Sequence, residues 1–524
     1  MLRRLGTAAM AVVLLLLAGC SRGGQPPVPP VDPGKVELPP VQTTPPPTPA
    51  AYDLVIRGGT VVDGSGAPGQ VGDVAVSGDK IVAVGKLGPY TAKREVDATG
   101  LVVAPGFINP HSHTHDFINP FEDLDATASL MQGITTEIGG VDGRSPLPIG
   151  QELERLTKAG TGVNFGLYIG QGSVRGQVMG NAPGAATAAQ LEAMKQLVRQ
   201  GMAEGAFGLS TGLEYMPGRQ ADQAEIAALA AETKALGGIY STHMRSEGDQ
   251  IIESLQEALW IAKTAGVPLN LAHFKIVRYP NWGKEDQVVK LVEQAIAGGQ
   301  KVFADVYPYL APDYAINRPV SEWGKALPAD FLVITKTADA AMVGKSVAEV
   351  AKVKGWPAEQ AADRLAALDP GAAVVALVSS EKAMVRFYQA PWSVVSTDGE
   401  SQPKLGSAAE ALGYAFHRRS YGSYPMLLGH YVREQKVLSL EVMLRKMTGA
   451  VADNLGLKDR GYVKPGLYAD LVVFDAKTVA DRTTWLSPQA YPSGIKHVYV
   501  NGTAAVRDGA RVEGRPGRVL RLGK

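Results

Sequence analysis

Three histidines stand two residues apart in PGFINPHSHTHDF: His111, His113 and His115. The chain has only eight histidines in 524 residues, so this stretch concentrates imidazole strongly. On an extended segment alternate positions point the same way, which puts these rings on one face. Burying them together is costly unless something cationic sits between them. Two more histidines end apolar runs, His243 in GIYSTHMRSE and His273 in PLNLAHFK, and Asp398 ends another in SVVSTDG. Imidazole nitrogen with carboxylate oxygen suits zinc near neutral pH. Such a cation lowers the pKa of water and polarises a carbonyl, so hydrolysis needs no side-chain nucleophile. Asp398 is then the group that takes a proton from the water and hands it to the leaving group. Each residue alone has a plainer reading, a hydrogen-bonded core histidine or an aspartate in a turn. Their joint placement at strand ends carries the metal reading.

Those ends need strands to hold them. Apolar segments at 103–109, 134–139, 163–169, 206–210, 238–243, 268–273, 302–307 and 393–397 read as strands, and 186–203, 220–236, 249–265 and 285–298 as helices. Strand–helix alternation predicts a parallel α/β architecture. Eight strands predict a closed (β/α)8 TIM-like barrel with its site at the strand C-terminal ends. An open doubly wound sheet fits the same alternation. Residues 310–390 break the rhythm and read as an excursion between the last two strands. Short strands at 52–60, 73–85, 469–475 and 495–500, with a hairpin turn at Asn501-Gly502, predict a small β-sandwich domain built from both chain ends. The expected division is 51–104 with 451–524 for that domain, and 105–450 for the barrel.

Composition narrows the classes. Lys plus Arg (52) balances Asp plus Glu (51) without a long basic block, which argues against a nucleic-acid partner. Cys20 is the only cysteine, so the body forms no internal disulfide and offers no catalytic thiolate. MLRRLGTAAMAVVLLLLAGC carries two arginines and an apolar run too short for an ordinary membrane span, the pattern of a secretory signal. Leu17-Ala18-Gly19-Cys20 resembles a bacterial lipoprotein processing site, which implies removal of residues 1–19 and lipid on Cys20. The plainer reading is a signal peptide with a chance cysteine. Residues 20–50 are proline-dense and read as a tether. The expected location is the bacterial cell envelope, lipid-anchored and facing the periplasm or exterior, with the membrane as a partner through Cys20.

Several segments occur in a telling order: VVAPGFI with HSH, QGITTEIGG with DG, GAFGLSTGLEYMPG, YSTHMRSEGD, LAHFK, DVYPY, STDG, then VREQKVLSLE, RKMTG and DRGYVKPGLYADLVVFD. Across residues 52–520 the chain resembles the metal-dependent amidohydrolases, within them the D-aminoacylase or N-acyl-D-amino-acid deacylase branch. The resemblance implies a (β/α)8 barrel joined to a small β domain, zinc, and hydrolysis of an N-acyl amide to a carboxylate and a D-amino acid. It places the metal-binding histidines on His111, His113, His243 and His273, and the catalytic aspartate on Asp398. His115 is extra, either beside the site or facing solvent. Deacylases of this type often carry a zinc-holding cysteine in a GNCG segment; here GVDG puts Asp142 at that position. Glu137 is the rival for that duty, or else a partner for Arg245. VNFGLYIGQG and GAFGLSTG contain no lysine, which disfavours a carbamylated-lysine bridge. One tightly held zinc is expected, and a second is left open.

A product amino acid brings a carboxylate that needs a cation. Lys275 and Arg245 each lie two residues past a site histidine, and the resemblance favours Lys275. Tyr215, Tyr307 and Tyr309 are candidates to orient the substrate, and Arg418 and Arg419 in HRRSYGSYP to recognise an acidic one. A dipeptidase or cyclic-amide hydrolase would use the same chemistry. An inactive substrate-binding lipoprotein is the non-enzyme alternative, and retention of all four histidines with Asp398 speaks against it.

Overall fold

Short apolar runs ending in glycine or polar residues fold here as parallel strands around a ring. The structure is a computed structural model that describes residues 49–114, 123–311, 313–315, 328–400, 417–485 and 487–523. Strands β1 (Phe107–Asn109), β2 (Ile134–Gly139) and β3 (Asn164–Leu167) pair in parallel. Past Tyr168 the third strand resumes as Ile169–Gly170 and pairs with β4 (Gly208–Gly212). β5 (Ile239–His243), β6 (Leu269–Leu271), β7 (Val302–Val306) and β8 (Ser393–Val395) follow in order, all parallel. The ring closes between its last and first strands. His113 N donates to Gly399 O at 2.9 Å and Asp398 N to His111 O at 3.2 Å. Just below, Asn109 Nδ2 donates to Thr397 Oγ1 at 2.8 Å, and Thr397 N to Asn109 Oδ1 at 3.1 Å. Closure rules out the open sheet.

The ring holds together because inward and outward positions alternate along each strand. Ile108, Ile138, Phe207, Ile239, Phe303 and Val394 form one buried cluster with Val451 and Leu455. Only the barrel interior brings these strands' side chains together. Outward positions pack under helices. The helix Ile251–Ala265 turns Ile251, Leu255, Ala258, Ile261, Ala262 and Ala265 inward, a three-to-four-residue stripe that helical geometry places on one face. Each of the isoleucines and the leucine among them, fully buried, stabilises the fold by roughly 1.5–3 kcal/mol.

Segments from both chain ends build a separate nine-stranded sheet. Ala50–Val61 pairs with Gln70–Ser77 and Tyr90–Asp97, and at Thr60 and Val61 with Val102–Pro105. Val102–Pro105 then joins Leu471–Phe474, which leads on to Ile495–Val500 and Thr503–Arg507. Its core includes Leu54, Ile56, Val74, Val76, Val103, Leu471 and Val473, the second layer of a barrel-plus-sandwich architecture. The single run read at 103–109 is in fact two strands. The chain leaves the sandwich at Pro105 and enters the barrel at Phe107, and a Cβ on Gly106 would lie 2.2 Å from Thr135 Oγ1. Between β7 and β8, Asp313–Ala315 and Leu332–Lys336 each pair antiparallel with Ala373–Ala376, over a small core of their own.

Candidate metal centre

The C-terminal ends of β1, β2, β5, β6 and β8 deliver His111, His113, Asp142, His243, His273 and Asp398 to one buried spot. His111 Nε2 stands 3.5 Å from Asp142 Oδ1 and 3.4 Å from Asp398 Oδ1. His113 Nε2 lies 3.2 Å from Asp398 Oδ1 and 3.6 Å from Asp142 Oδ2. His273 Nε2 lies 3.4 Å from Asp142 Oδ1 and 2.8 Å from His243 Nδ1. Ligand atoms of His111, Asp142, His273 and Asp398 all fall within 4.8 Å of one another, and so do those of His243, Glu247 and His273. The two groups share His273.

A cation fits the first group on chemical grounds. His111 is fully buried, and among the described residues neither of its ring nitrogens nor Asp142 Oδ1 has a hydrogen-bond partner. Buried polar atoms are almost always paired, so orphans packed this closely mark a ligand position. Burial pushes His111 down to about 4, against the pull of Asp142 and Asp305, leaving a neutral ring with a lone pair to give. Burial would raise the Asp142 carboxyl, but His273 and His111 outweigh it and hold it well below the usual range. At Asp398 burial is likewise outweighed, first by Arg419 and then by His273. Burial and the Lys275 ammonium both oppose a charge on His273, yet Glu247, Asp398 and Asp142 hold its pKa well above the ordinary value. The spot attracts positive charge, and its nitrogen and carboxylate donors suit zinc.

The backbone is strained where it presents these groups. Asp142 (φ 52), His273 (φ 35) and Asp398 (φ 51) all occupy the left-handed region. Such residues typically cost of order 1 kcal/mol and persist where surroundings over-determine them. The Asp142 turn is pinned by Gly143 N donating to Ser210 Oγ at 3.1 Å, by Ser210 Oγ donating to Gly140 O at 2.6 Å, and by Ser173 N donating to Gly143 O at 3.0 Å. Gly143 itself has φ 74, and a Cβ there would lie 2.8 Å from Gly212 N. His273 is fixed from β7: its N donates to Asp305 Oδ1 at 2.9 Å, and Phe274 N to Asp305 O at 2.7 Å. Asp398 is fixed by the ring closure described above.

Around this centre, Glu247 sits 2.8 Å from Lys275 Nζ and 2.9 Å from His273 Nδ1, and Glu214 accepts from His243 Nε2 at 3.0 Å. Arg419 Nη1 meets Asp398 Oδ2 at 2.5 Å. Tyr307 lies between two cations, with Lys275 Nζ and the Arg419 guanidinium each 5.6 Å from its ring centre. Tyr215 stacks obliquely on His243 at 4.7 Å between ring centres. Lys275, Tyr307 and Tyr215 thus stand around the centre.

Two expectations need correction. Glu137 does not rival Asp142: Ile138 faces the interior, so Glu137 faces outward, accepting from Ser129 Oγ at 2.7 Å and Asn109 Nδ2 at 3.4 Å. Arg245 binds neither Glu137 nor the centre. β5 ends at His243, so the alternation that would have brought Arg245 inward stops, and its guanidinium is spent on Glu257 and the carbonyls of Arg219 and Ala221. Tyr309 is buried, its hydroxyl donating to Asp481 at 2.8 Å under the Arg418 guanidinium, and its ring lines a small cavity with His273, Lys275 and Tyr307. Arg418 itself is held by Asp481 and Thr483. His115 lies outside the described residues. Glu214, Glu247 and Asp305 escaped the sequence reading. Asp305 had a visible signal, a carboxylate near the end of an apolar strand in VFADVY, whereas the two glutamates sit in loops with no periodicity to mark them.

A closed parallel barrel with a histidine–aspartate centre at its strand ends and a sandwich from both chain ends defines a class of metal-dependent hydrolases. The sequence profile of the amidohydrolase family matches residues 94–390 and 387–506, and the chain belongs to that family. Within it the chain is 33% identical to a D-aminoacylase of Alcaligenes xylosoxydans xylosoxydans, over 90% of this chain and 97% of that protein. It is 35% identical to an N-acyl-D-glutamate deacylase of the same organism, over 90% of this chain and 96% of that one. Among solved structures, the N-acyl-D-glutamate deacylase of Bordetella bronchiseptica, complexed with zinc and a phosphonate mimic of the tetrahedral intermediate, superposes with a TM-score of 0.76. It is 31% identical and covers 90% of this chain and all of that one.

Proposed function

We propose that this protein hydrolyses N-acyl-D-amino acids, releasing the acyl group as a carboxylate and the amino acid as a free amine, with zinc at the centre built on His111, His113, Asp142, His243 and His273. The observation that carries the reading is the orphaned, fully buried His111 ring among carboxylates held ionised. Near full-length similarity to deacylases named for D-amino-acid substrates supports the substrate class and its D series.

A zinc ion held by these residues would supply a Lewis acid for the amide carbonyl and would lower the pKa of water bound there. Asp398, ionised and fixed at the ring closure, takes the proton that the water loses as its oxygen bonds to the carbonyl carbon. It returns that proton to the amide nitrogen as the C–N bond breaks. Asp305 and the Asp142 turn hold the donors rigid, so little reorganisation accompanies reaction. Lys275, Arg419 and Tyr307 provide positive charge and a hydroxyl on one side for the substrate's α-carboxylate. Glu247 and Asp398 hold the two cations in position until then.

The test is a panel of N-acetyl and N-formyl D- and L-amino acids, with dipeptides and cyclic amides, offered to zinc-loaded protein. Hydrolysis of the D series is expected. Activity confined to dipeptides or cyclic amides would replace the reading, and turnover surviving both exhaustive chelation and Asp398→Asn would end it.

From Leu17-Ala18-Gly19-Cys20 and the proline-dense 20–50 we also infer a lipid anchor on Cys20 and an envelope location; these positions lie outside the described residues or at their edge. Cys20→Ser should release the protein from the membrane fraction, and continued sedimentation with membranes would refute the anchor.

A further inference from the structure

Most cations near the centre already have an anionic partner. Lys275 pairs with Glu247, Arg419 with Asp398, Arg245 with Glu257 and Arg418 with Asp481. Arg144 does not. No hydrogen bond or ion pair engages its guanidinium among the described residues, which lies 5.2 Å from the Tyr215 ring centre. The neighbouring Asp142 carboxylate is turned instead toward His111, His113, His243 and His273. Arg144 lines a cavity of about 230 Å³ that it shares with Asp142, Ser173, Tyr215 and Pro217.

The loop that carries Arg144 is built to stay put. Besides the bonds pinning Gly143, Ser145 N donates to Ser173 Oγ at 2.9 Å and Gly170 N to Ser145 Oγ at 2.8 Å. A half-buried guanidinium on a fixed loop, beside an aromatic face and in a cavity, is poised to bind an anion, because few of its donors must first be released. The barrel's strand order says which part of the substrate arrives there. Arg144 follows β2, Ser173 follows β3 and Tyr215 follows β4, whereas Lys275, Tyr307 and Arg419 follow β6, β7 and β8 on the opposite arc. With the α-carboxylate on the second arc and the amide at the metal centre, the acyl group extends toward the first.

We propose that Arg144 selects substrates whose acyl group ends in a carboxylate, that is, monoamides of a short dicarboxylic acid such as N-succinyl-D-amino acids. Hydrolysis would consume one water and give the dicarboxylate and the D-amino acid. The inference rests on the deacylase reading above and adds to it the identity of the acyl group.

The test compares N-succinyl-D-alanine with its near-isosteric neutral analogue N-succinamoyl-D-alanine on the zinc-loaded protein, in kcat/KM and in calorimetric Kd. A preference of about tenfold or more for the succinyl compound is expected, as for a partly desolvated charge pair. Arg144→Met should erase the preference and Arg144→Lys should retain part of it, the latter guarding against a merely misfolded loop. Equal use of the two compounds by the unaltered protein, or a preference that persists in Arg144→Met, overturns the proposal. If Arg144→Met instead erases a preference for N-acetyl-D-glutamate over N-acetyl-D-glutamine, the residue reads the amino-acid side chain and the acyl assignment fails. Absence of turnover with every N-acyl amino acid sinks the deacylase reading, while the Kd ratio still decides whether Arg144 binds the anionic arm.

Discussion

Glu247→Gln is a change of one atom that should weaken both the fold and the metal site. Glu247 is only 3% exposed and binds Lys275 Nζ at 2.8 Å and His273 Nδ1 at 2.9 Å. Burial opposes its charge, but Lys275, His273 and His243 outweigh burial and hold a carboxyl normally near 4.5 at about 2. At about 1.4 kcal/mol per pH unit that depression corresponds to about 3 kcal/mol of stability at neutral pH. Removing one partner of a buried ion pair has a similar typical cost, about 3–5 kcal/mol. Because the folded pKa lies below the unfolded one, the contribution is complete above about 4.5 and is lost as pH falls toward 2. For a folded unit spanning Pro49–Lys524 the melting entropy is about 1 kcal/mol per degree, so about 3 kcal/mol lowers the midpoint by about 3 °C. Differential scanning calorimetry in chelator at pH 7 and again at pH 4 reads this. The gap between unaltered protein and Glu247→Gln should narrow by about 1 kcal/mol at the lower pH. Zinc affinity should also fall roughly 10–100-fold, since Glu247 orients the His273 ring. A variant with an unchanged midpoint and unchanged zinc affinity would refute the reasoning.

Zinc content should vanish or fall sharply in Asp142→Ala and stay unchanged in Glu137→Gln, read by elemental analysis; the reverse pattern would restore Glu137 as a ligand. Lys275→Ala should chiefly weaken use of substrates bearing the α-carboxylate, raising KM more than it lowers kcat, and an unaltered specificity would remove Lys275 from the pocket. Lys446 is buried beneath β8, its ammonium donating to Ala390 O at 2.7 Å and to Ser393 O at 2.9 Å, and burial pushes its pKa down to about 8. A lysine depressed in the fold destabilises it below that pH and is relieved above it. From pH 7 to 9 the unaltered protein should therefore gain about 1 kcal/mol relative to Lys446→Met in denaturant titrations, and a constant difference would contradict the burial.

The sequence displayed the barrel and most of the centre because both obey short-range rules. Apolar runs announce all eight strands, and His111, His113, His243, His273 and Asp398 sit at or just beyond strand ends, whereas Asp142 is legible only through the family resemblance. The rules failed where the chain stopped being extended. Counting two residues past a histidine points Arg245 and Lys275 alike at the site, yet β5 ends at His243 and β6 already at Leu271. Lys275 still reaches the site only because His273 turns through a left-handed conformation and Glu247 draws the ammonium in. Glu247 and Glu214 could not be read in advance: their partners lie 28 and 29 residues away, across strand ends that only the closed ring brings together. Glu137 misled for the opposite reason. It lies on a true strand, but one position out of phase with the interior.

Where a metal binds is the most direct test of the centre. Anomalous diffraction at the zinc edge from crystals of zinc-loaded protein should give a peak enclosed by His111, Asp142, His273 and Asp398, and the peak should be lost in His111→Asn. A zinc peak elsewhere on the molecule, or none in protein that hydrolyses N-acyl-D-amino acids at full rate, would contradict it.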